Sequence, residues 1–371
     1  MASAEVVAED ATKLARKQED VGQLSQWTLM RRRFMQSRLS VFGGIVLILM
    51  YLIAAISDFI APYQFDALYS DYTWAAPTVL VVQDGQLGVC SLAQSLNEVT
   101  FTWVYTPDCG TTYPIKMFVQ GHSYSFLGIQ SSLHLFGVDD PGKLFLFGAD
   151  SLGRDLFSRV LEGSRISLTI GLIGVALSVL IGAVLGTASG YLGGVADNII
   201  QRFIELLMSM PTLPLWAALA AALPSETSVV QRYFLITVIL SLVGWTGLAR
   251  QVRGKVMSYR QLDYTLAARL AGASHVRIIL THMLPNSVSH IIVVAALAVP
   301  ATILGETALS FLGLGMLPPA VSWGVLLRDA QQLDAVLQHM WLLIPAVAVI
   351  IAVTCYQFLG DGLRDAADPY G

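Results

Sequence analysis

Apolar positions along the chain gather into six long runs, and the polar stretches between them differ sharply in character. The runs cover approximately residues 39–60, 166–188, 199–222, 233–250, 288–313 and 340–360. Each is close to the roughly 20 residues that an α-helix needs to cross about 30 Å of hydrocarbon. The alternation of barrel strands is absent, and in lipid only helices and closed barrels satisfy their own backbone hydrogen bonds. Six membrane helices are therefore expected. Residues 1–25 are polar, mixed in charge and without apolar period, and read as mobile. Residues 27–38, Trp-Thr-Leu-Met-Arg-Arg-Arg-Phe-Met-Gln-Ser-Arg, are basic and amphipathic. They read either as a charged flank of the first span or as an interfacial helix with Trp27, Met30 and Phe34 in lipid.

The long stretch 61–150 breaks the pattern. Runs at 79–82, 99–105 and 115–119 are β-branched or aromatic and are divided by Gly, Pro, Asn and Asp. That reads as short strands, so a small β-rich insert is expected between the first two spans. Cys90 and Cys109 both fall inside it, while Cys355 lies in the last span. An oxidising compartment favours a Cys90–Cys109 disulfide over two buried thiols. Closing such a loop stabilises the insert by about 3 kcal/mol.

Composition agrees with the hydropathy. The chain is 55% hydrophobic and 13% charged, against about 25% charged in soluble domains. The net charge of −4 carries no basic tract that would grip nucleic acid. Charge does set orientation. Lys13, Arg16, Lys17, Arg31, Arg32, Arg33 and Arg38 precede the first span, and Arg250, Arg253, Lys255, Arg260, Arg269 and Arg277 lie between the fourth and fifth. The positive-inside rule puts both termini and the loop 251–287 in the cytoplasm, and the insert outside.

Several motifs sit at the ends of these spans. Between the fourth and fifth lies Asp263-Tyr-Thr-Leu-Ala-Ala-Arg-Leu-Ala-Gly-Ala-Ser-His-Val-Arg-Ile-Ile-Leu-Thr-His-Met-Leu-Pro285. Gly272 costs a helix about 1 kcal/mol there and reads as a deliberate break, with residues 250–265 continuing the fourth span as a helix. Pro285 is expected to prevent a straight run into the fifth span. After the insert comes Phe147-Gly-Ala-Asp-Ser-Leu-Gly-Arg-Asp-Leu-Phe-Ser-Arg159. Here Asp150, Arg154, Asp155 and Arg159 recur at helical spacing and can pair along one face. In the second span, Gly182-x-x-x-Gly186 permits close helix approach, as generic packing or as a dimer face. Asp197, Arg202 and Glu205 follow, solvated or paired with one another. Pro211 and Pro214 in the third span each tend to kink it, as ordinary packing or as a lining of a path. Glu306 is the acid well inside an apolar span, a residue that faces protein or water.

These motifs resemble the permease subunits of binding-protein-dependent ABC importers, and most closely the C-type subunit of dipeptide and oligopeptide systems. The 263–285 loop resembles their EAA loop at Ala267-Ala268, Gly272 and Leu284-Pro285, with Leu266 where Glu is usual and His282 where Ile is usual. The 147–159 segment resembles Leu-Gly-Thr-Asp-x-x-Gly-Arg-Asp-x-x-Ser-Arg. The string Glu306-x-x-Leu-Ser-Phe-Leu-Gly-Leu-Gly315 with Trp323-Gly324 is similar to a third block of the same family. An insert as long as 61–150 departs from the family's pattern.

The resemblance implies an all-α membrane protein of six helices in the type I ABC importer fold, carrying a β-rich extracytoplasmic insert. Its segments are 1–38 cytoplasmic, 39–60 the first helix, 61–150 the insert, and 151–371 the permease core. It implies that Ala267, Ala268, Arg269, Gly272, Ala273, Ser274, Leu284 and Pro285 couple the chain to an ATPase. Asp150, Gly153, Arg154, Asp155 and Arg159 would form a helix at the periplasmic entrance. Pro211, Pro214 and Glu306 would line the translocation path or the permease interface. Partners implied are a second, B-type permease, two ATPase subunits, a periplasmic or lipid-anchored solute-binding protein and membrane lipid. No phosphate loop Gly-x-x-x-x-Gly-Lys-Ser/Thr is present in this chain, so ATP and Mg would be held by the ATPase subunits and this chain would carry no catalysis. Cargo would be peptide, with nickel chelates and oligosaccharides as alternatives. The inner membrane of a bacterium is the implied location. An intramembrane enzyme would need paired polar residues at one depth, and a carrier or channel working alone would show inverted repeats or several midspan charges; neither is seen. His134, His275 and His282 are scattered rather than spaced for a metal.

Overall fold

The computed structural model describes residues 26–367 apart from 84, 97, 99–102, 127 and 225, and the side chains of Gln26, Trp27, Leu333 and Asp334 are likewise outside the description. The polar stretch 1–25 therefore lies outside the described residues. Helix α1 (Gln26–Gln36) carries the basic run and breaks at Ser37, after which α2 (Arg38–Ala55) begins. The interfacial reading of Met30 and Phe34 is corrected. Met30 is buried, and Phe34 and Ser40 close on Gly362 of the last helix, where a Cβ would overlap Ser40. The outer side of α2 is different: Leu39, Phe42, Ile45, Ile48, Leu49 and Leu52 are all more than half exposed.

A one-turn helix α3 (Ser57–Ile60) leads into the insert. After it come α4 (Leu156–Leu192), α5 (Gly194–Met208), α6 (Thr212–Ala221) and α7 (Val229–Tyr259). Then follow α8 (Asp263–Leu270), α9 (His275–Phe311), α10 (Trp323–Leu327), α11 (Leu333–Gln338) and α12 (Ile344–Ala367). Among the described residues, five helices are long and apolar enough to cross a membrane, or six if the pair α5 and α6 counts as one broken span.

Glycines let the long helices touch backbone to backbone. An added Cβ at Gly182 would lie 2.8 Å from the Trp245 carbonyl oxygen, at Gly186 2.5 Å from that of Ala249, and at Gly190 2.7 Å from that of Arg253. The Gly182-x-x-x-Gly186 stripe is thus spent inside the chain, on the α4–α7 contact. One turn of the core packs Leu168, Ile303, Trp323 and Val349, and the opposite end packs Val252, Val256, Ile278 and Met283.

The third span is sharply bent. Its halves α5 and α6 meet at 82°, and the turn falls at Pro211, which stands at the N-cap position of α6. Pro214 causes no kink. It lies in the first turn of α6, where a backbone N–H has no helical partner to lose.

Among the described residues the insert has five strands in two sheets: β1 (Leu80–Gln83), β2 (Gln86–Leu96) and β3 (Trp103–Pro114), then β4 (Lys116–Phe126) and β5 (Ile129–Gly137). All neighbours are antiparallel. The expected strands at 79–82 and 115–119 correspond to β1 and the start of β4. Of the expected 99–105 strand, residues 99–102 lie outside the described residues and the rest begins β3. Strands β2 and β5 were not anticipated, because Gln, Ser and His interrupt their apolar positions. Cys90 and Cys109 form the expected disulfide between β2 and β3, and Cys355 is a buried free thiol. The two flanks of the strands are joined by an aromatic knot of Tyr63, Tyr69, Tyr72 and Phe145, with ring centroids 5.3–5.9 Å apart, and Tyr63 N–H donates to Ser158 Oγ of α4.

Candidate functional site: a capped loop at one end and a locked turn at the other

The loop between α7 and α9 is built from local capping. Helix α7 ends at Tyr259, so the break falls at 260–262 rather than at 265. The Tyr259 carbonyl accepts the Thr265 hydroxyl at 2.9 Å, which turns the chain into α8. At the far end of α8, Ala273 N–H donates to the Ala268 carbonyl and Gly272 N–H to that of Arg269. This pair of bonds is the Schellman cap, and it requires the left-handed residue that Gly272 supplies at φ +78°. Ala268 and Ala273 pack towards the core in the same motif, as its apolar contact demands. Ser274 then caps α9 by accepting Arg277 N–H at 3.3 Å. Ala268, Gly272, Ala273 and Ser274 thus each have a local structural reason to be what they are, whereas Ala267 and Arg269 are exposed.

Pro285 does not break the helix, since α9 continues through it. A π turn at Ile279–Met283 precedes the proline. The wider turn accommodates a ring that a regular α-helix would push against the carbonyl four residues back. Asn286 ties this region together, donating to the His282 carbonyl at 2.7 Å and to the Tyr264 hydroxyl at 3.3 Å. Tyr191 at the end of α4 meets His275 Nδ1 at 3.2 Å. With the inner side so fastened, the outer side presents Leu266, Leu270, Val276 and Leu280. All four are exposed, Leu270 at 90%.

At the opposite end, residues 147–159 pack differently. The expected helix over Asp150, Gly153, Arg154 and Asp155 is corrected: these residues form a turn, and the helix starts only at Leu156. Their pairing is real but comes from the turn. Asp150 accepts the backbone N–H of Leu152 at 2.9 Å and of Arg154 at 3.0 Å. Its other oxygen meets Arg154 Nε at 2.7 Å and Arg159 Nε at 3.4 Å. Both Asp150 and Arg159 are almost wholly buried. Gly153, at φ +75°, lies so close to the Tyr69 carbonyl that no Cβ fits. Asp155 caps α4 by accepting Ser158 N–H at 2.8 Å and Ser158 Oγ–H at 2.6 Å. Burial pushes its carboxyl up to about 7, against those two hydrogen bonds. The Trp341 indole N–H closes the knot on the Ala149 carbonyl at 3.0 Å.

Glu306 is not placed on a path or an interface. Its side chain is fully buried within this chain. It accepts Ser310 Oγ–H at 2.6 Å and Ser167 Oγ–H at 3.2 Å. Ser167 Oγ also accepts Trp323 N–H, and Ser310 Oγ accepts Met316 N–H. The acid therefore pins α4, α9 and the 316–323 loop to one another. Pro211 and Pro214 are exposed on the bent pair and touch none of this.

Two polar fastenings depend on distant partners, and one of them takes Asp197 out of the expected pairing with Arg202 and Glu205. Arg232 is buried and donates to the carbonyls of Gly315 and Leu314 at 2.7 and 3.4 Å; an arginine at the head of an apolar span was its available signal. Asp197 takes Arg253 in a two-pronged pair at 2.6 Å per bond, while Arg202 pairs with Glu205 on the surface. Nothing in the one-dimensional spacing links 197 to 253. Among the described residues no group of three His, Cys, Asp or Glu is arranged to hold a metal.

Comparison with known proteins agrees with this layout. The profile of the binding-protein-dependent transport system inner membrane component matches residues 166–369, and that of the N-terminal TM domain of oligopeptide transport permease C matches residues 25–77. The oligopeptide transport system permease protein OppC of Haemophilus influenzae is 43% identical over 60% of this chain and 70% of its own length. The dipeptide transport system permease protein DppC of Bacillus subtilis is 41% identical over 62% and 70%. The glutathione transport system permease protein GsiD of Pectobacterium atrosepticum is 38% identical over 62% and 74%. With a family profile spanning the core from α4 to α12 and a second on the first membrane segment, this chain belongs to the inner-membrane permease components of binding-protein-dependent ABC transporters, in their oligopeptide and dipeptide branch.

Proposed function

We propose that this chain is one of two permease subunits of a peptide importer, with α2, α4, the bent pair α5–α6, α7, α9 and α12 as the six spans of the type I arrangement. A B-type permease supplies the other half of the path. Two ATPase subunits, which hold ATP and Mg, dock on the cytoplasmic loop. A solute-binding protein delivers cargo to the opposite face, on which the insert 61–150 stands. Both termini lie in the cytoplasm of a bacterial cell, and the core 151–371 carries the coupling loop 251–287.

The observation that carries this reading is the capped loop. Gly272 closes α8 so that Ala268 and Ala273 face the core while Leu266, Leu270, Val276 and Leu280 face outward. A short rigid helix with one side fastened and the other apolar is suited to transmit movement from a docked ATPase. Peptide cargo is supported by the relatives' names, oligopeptide, dipeptide and glutathione, the last itself a tripeptide.

The test is purification of the tagged chain from mild detergent with its neighbours co-expressed. The reading expects a second permease and two ATPase chains to co-purify, with ATP hydrolysis stimulated by the loaded binding protein and peptide. Recovery of this chain alone, with solute flux that needs no ATP, would overturn it.

A further inference from the structure

The β4–β5 hairpin exposes an apolar side that neither the insert's own fold nor coupling uses. Phe126 opposes Ile129 and Tyr124 opposes Ser131 in the strand register, so these four share one face. Together with Ile56 and Phe59 they line a largely apolar groove of about 250 Å³, with Asp58 and Arg165 at its base. Ile129 is 71% exposed and Phe118, beside Phe59 at 6.5 Å, is 61% exposed. The intervening positions Ser125 and Gln130 are polar and oppose each other on the other face, where Ser123 and Ser125 border a polar cleft.

The groove's height is given by Arg165. Its guanidinium donates to the carbonyls of Ala54 and Ala55, the last two residues of α2, and pairs with Asp58 at 2.8 Å and Glu162 at 3.1 Å. That charge is paired within the chain. Helix α2 has 18 residues, about 27 Å at 1.5 Å per residue, which starts at Arg38 and reaches the far edge of a hydrocarbon layer about 30 Å thick. The groove begins where the exposed apolar side of α2 stops, with Leu52, Ile53 and Ile56 leading into it.

We propose that the β4–β5 hairpin is a membrane-interface anchor, in which Phe126 and Ile129, with Ile56 and Phe59, dip among the lipids of the leaflet at the carboxyl end of α2. The occupant is lipid because the apolar strip takes up where the exposed side of α2 ends, with its ion pair, Asp58–Arg165, mutually satisfied, and aromatic and aliphatic side chains at this depth gain from the interface. A soluble protein docking from above stops at the headgroups. The inference rests on the permease reading only in taking α2 as a span.

The test uses the assembled importer in phosphatidylcholine–phosphatidylglycerol nanodiscs. A Cys355→Ala background, in which Cys90 and Cys109 are held in their disulfide, carries Ile129→Cys labelled with an environment-sensitive fluorophore. Phe118→Cys serves as a second probe on the hairpin and Val82→Cys, on the exposed strand β1, as the control. The expected result is blue-shifted emission at 129 and 118, lost when shallow nitroxide lipids are included, with neither effect at 82. Water-like emission at 129 and 118 that lipid nitroxides do not quench would overturn the proposal. So would a blue shift without quenching, which puts protein over the hairpin. Failure of the importer reading itself would appear separately, as nanodiscs that hold this chain without ATPase subunits.

Discussion

The two ends of the helical core solve opposite problems. At the α7–α9 end, the chain is held by backbone caps and small side chains, and leucines are left in the open: Leu270 is 90% exposed. At the 147–159 end, charged groups are pulled inside, with Asp150 serving two arginines and two backbone amides. The loop proposed to receive a partner keeps its apolar side free and takes its rigidity from local hydrogen bonds. The turn between insert and core takes its rigidity from buried charges paired within residues 150–159, and from Tyr69 and Trp341 packed against it. Substitution should therefore cost stability at the second end and assembly at the first.

The largest effect is expected for Asp150→Ala. It leaves Arg154 and Arg159 without their acid, and breaking a buried pair costs about 3–5 kcal/mol. Thermal unfolding of the purified complex reads this directly, and an unchanged midpoint would remove the contrast between the two ends. Next is the insert itself. Replacing Cys90 and Cys109 by Ser is expected to remove about 3 kcal/mol from β2–β3, seen as protease cleavage within the insert while the helical core stays intact.

At the coupling end, a Cβ added at Gly272 meets no atom within 4 Å, but Gly272→Val forces a β-branched residue to φ +78°, at a cost of about 1–2 kcal/mol. Capture of ATPase subunits is expected to fall while the spans stay folded. Leu270→Ser sharpens the point: folding stability should change by no more than about 0.5 kcal/mol although ATPase capture declines. A Leu270→Ser complex that couples normally would show that this surface receives nothing.

The smallest effect concerns His339, which stacks on Trp74 at 4.7 Å and lies beside Trp341. Burial holds its imidazole below the ordinary value, so the folded chain prefers the neutral ring. Its contribution is complete above about pH 6.5, the unperturbed value, and is lost as pH falls below that through the depressed folded value. Tryptophan emission followed between about pH 5 and 7.5 should show the loosening, and His339→Phe should abolish it.

Much of this protein is legible from local signals. The apolar runs announce their spans because hydrocarbon demands about 20 apolar residues wherever a helix crosses. Gly272 announces its cap because a left-handed position selects glycine, and the paired cysteines of the insert announce their bond. What resisted reading depended on distant neighbours. Pro285 reads as a stop until a π turn absorbs it. Glu306 reads as facing either water or protein until Ser167 of another helix and Ser310 enclose it. Asp150 to Arg159 share a helical spacing, yet the folded chain makes most of that stretch a turn because Tyr69 and Trp341 pack against it. The amino-acid order alone suffices to place the long apolar helices and the cap at Gly272, since those follow from each segment's own chemistry. Only the tertiary structure decided which polar groups are buried and which are offered to a partner, because a side chain's burial is a property of what packs against it.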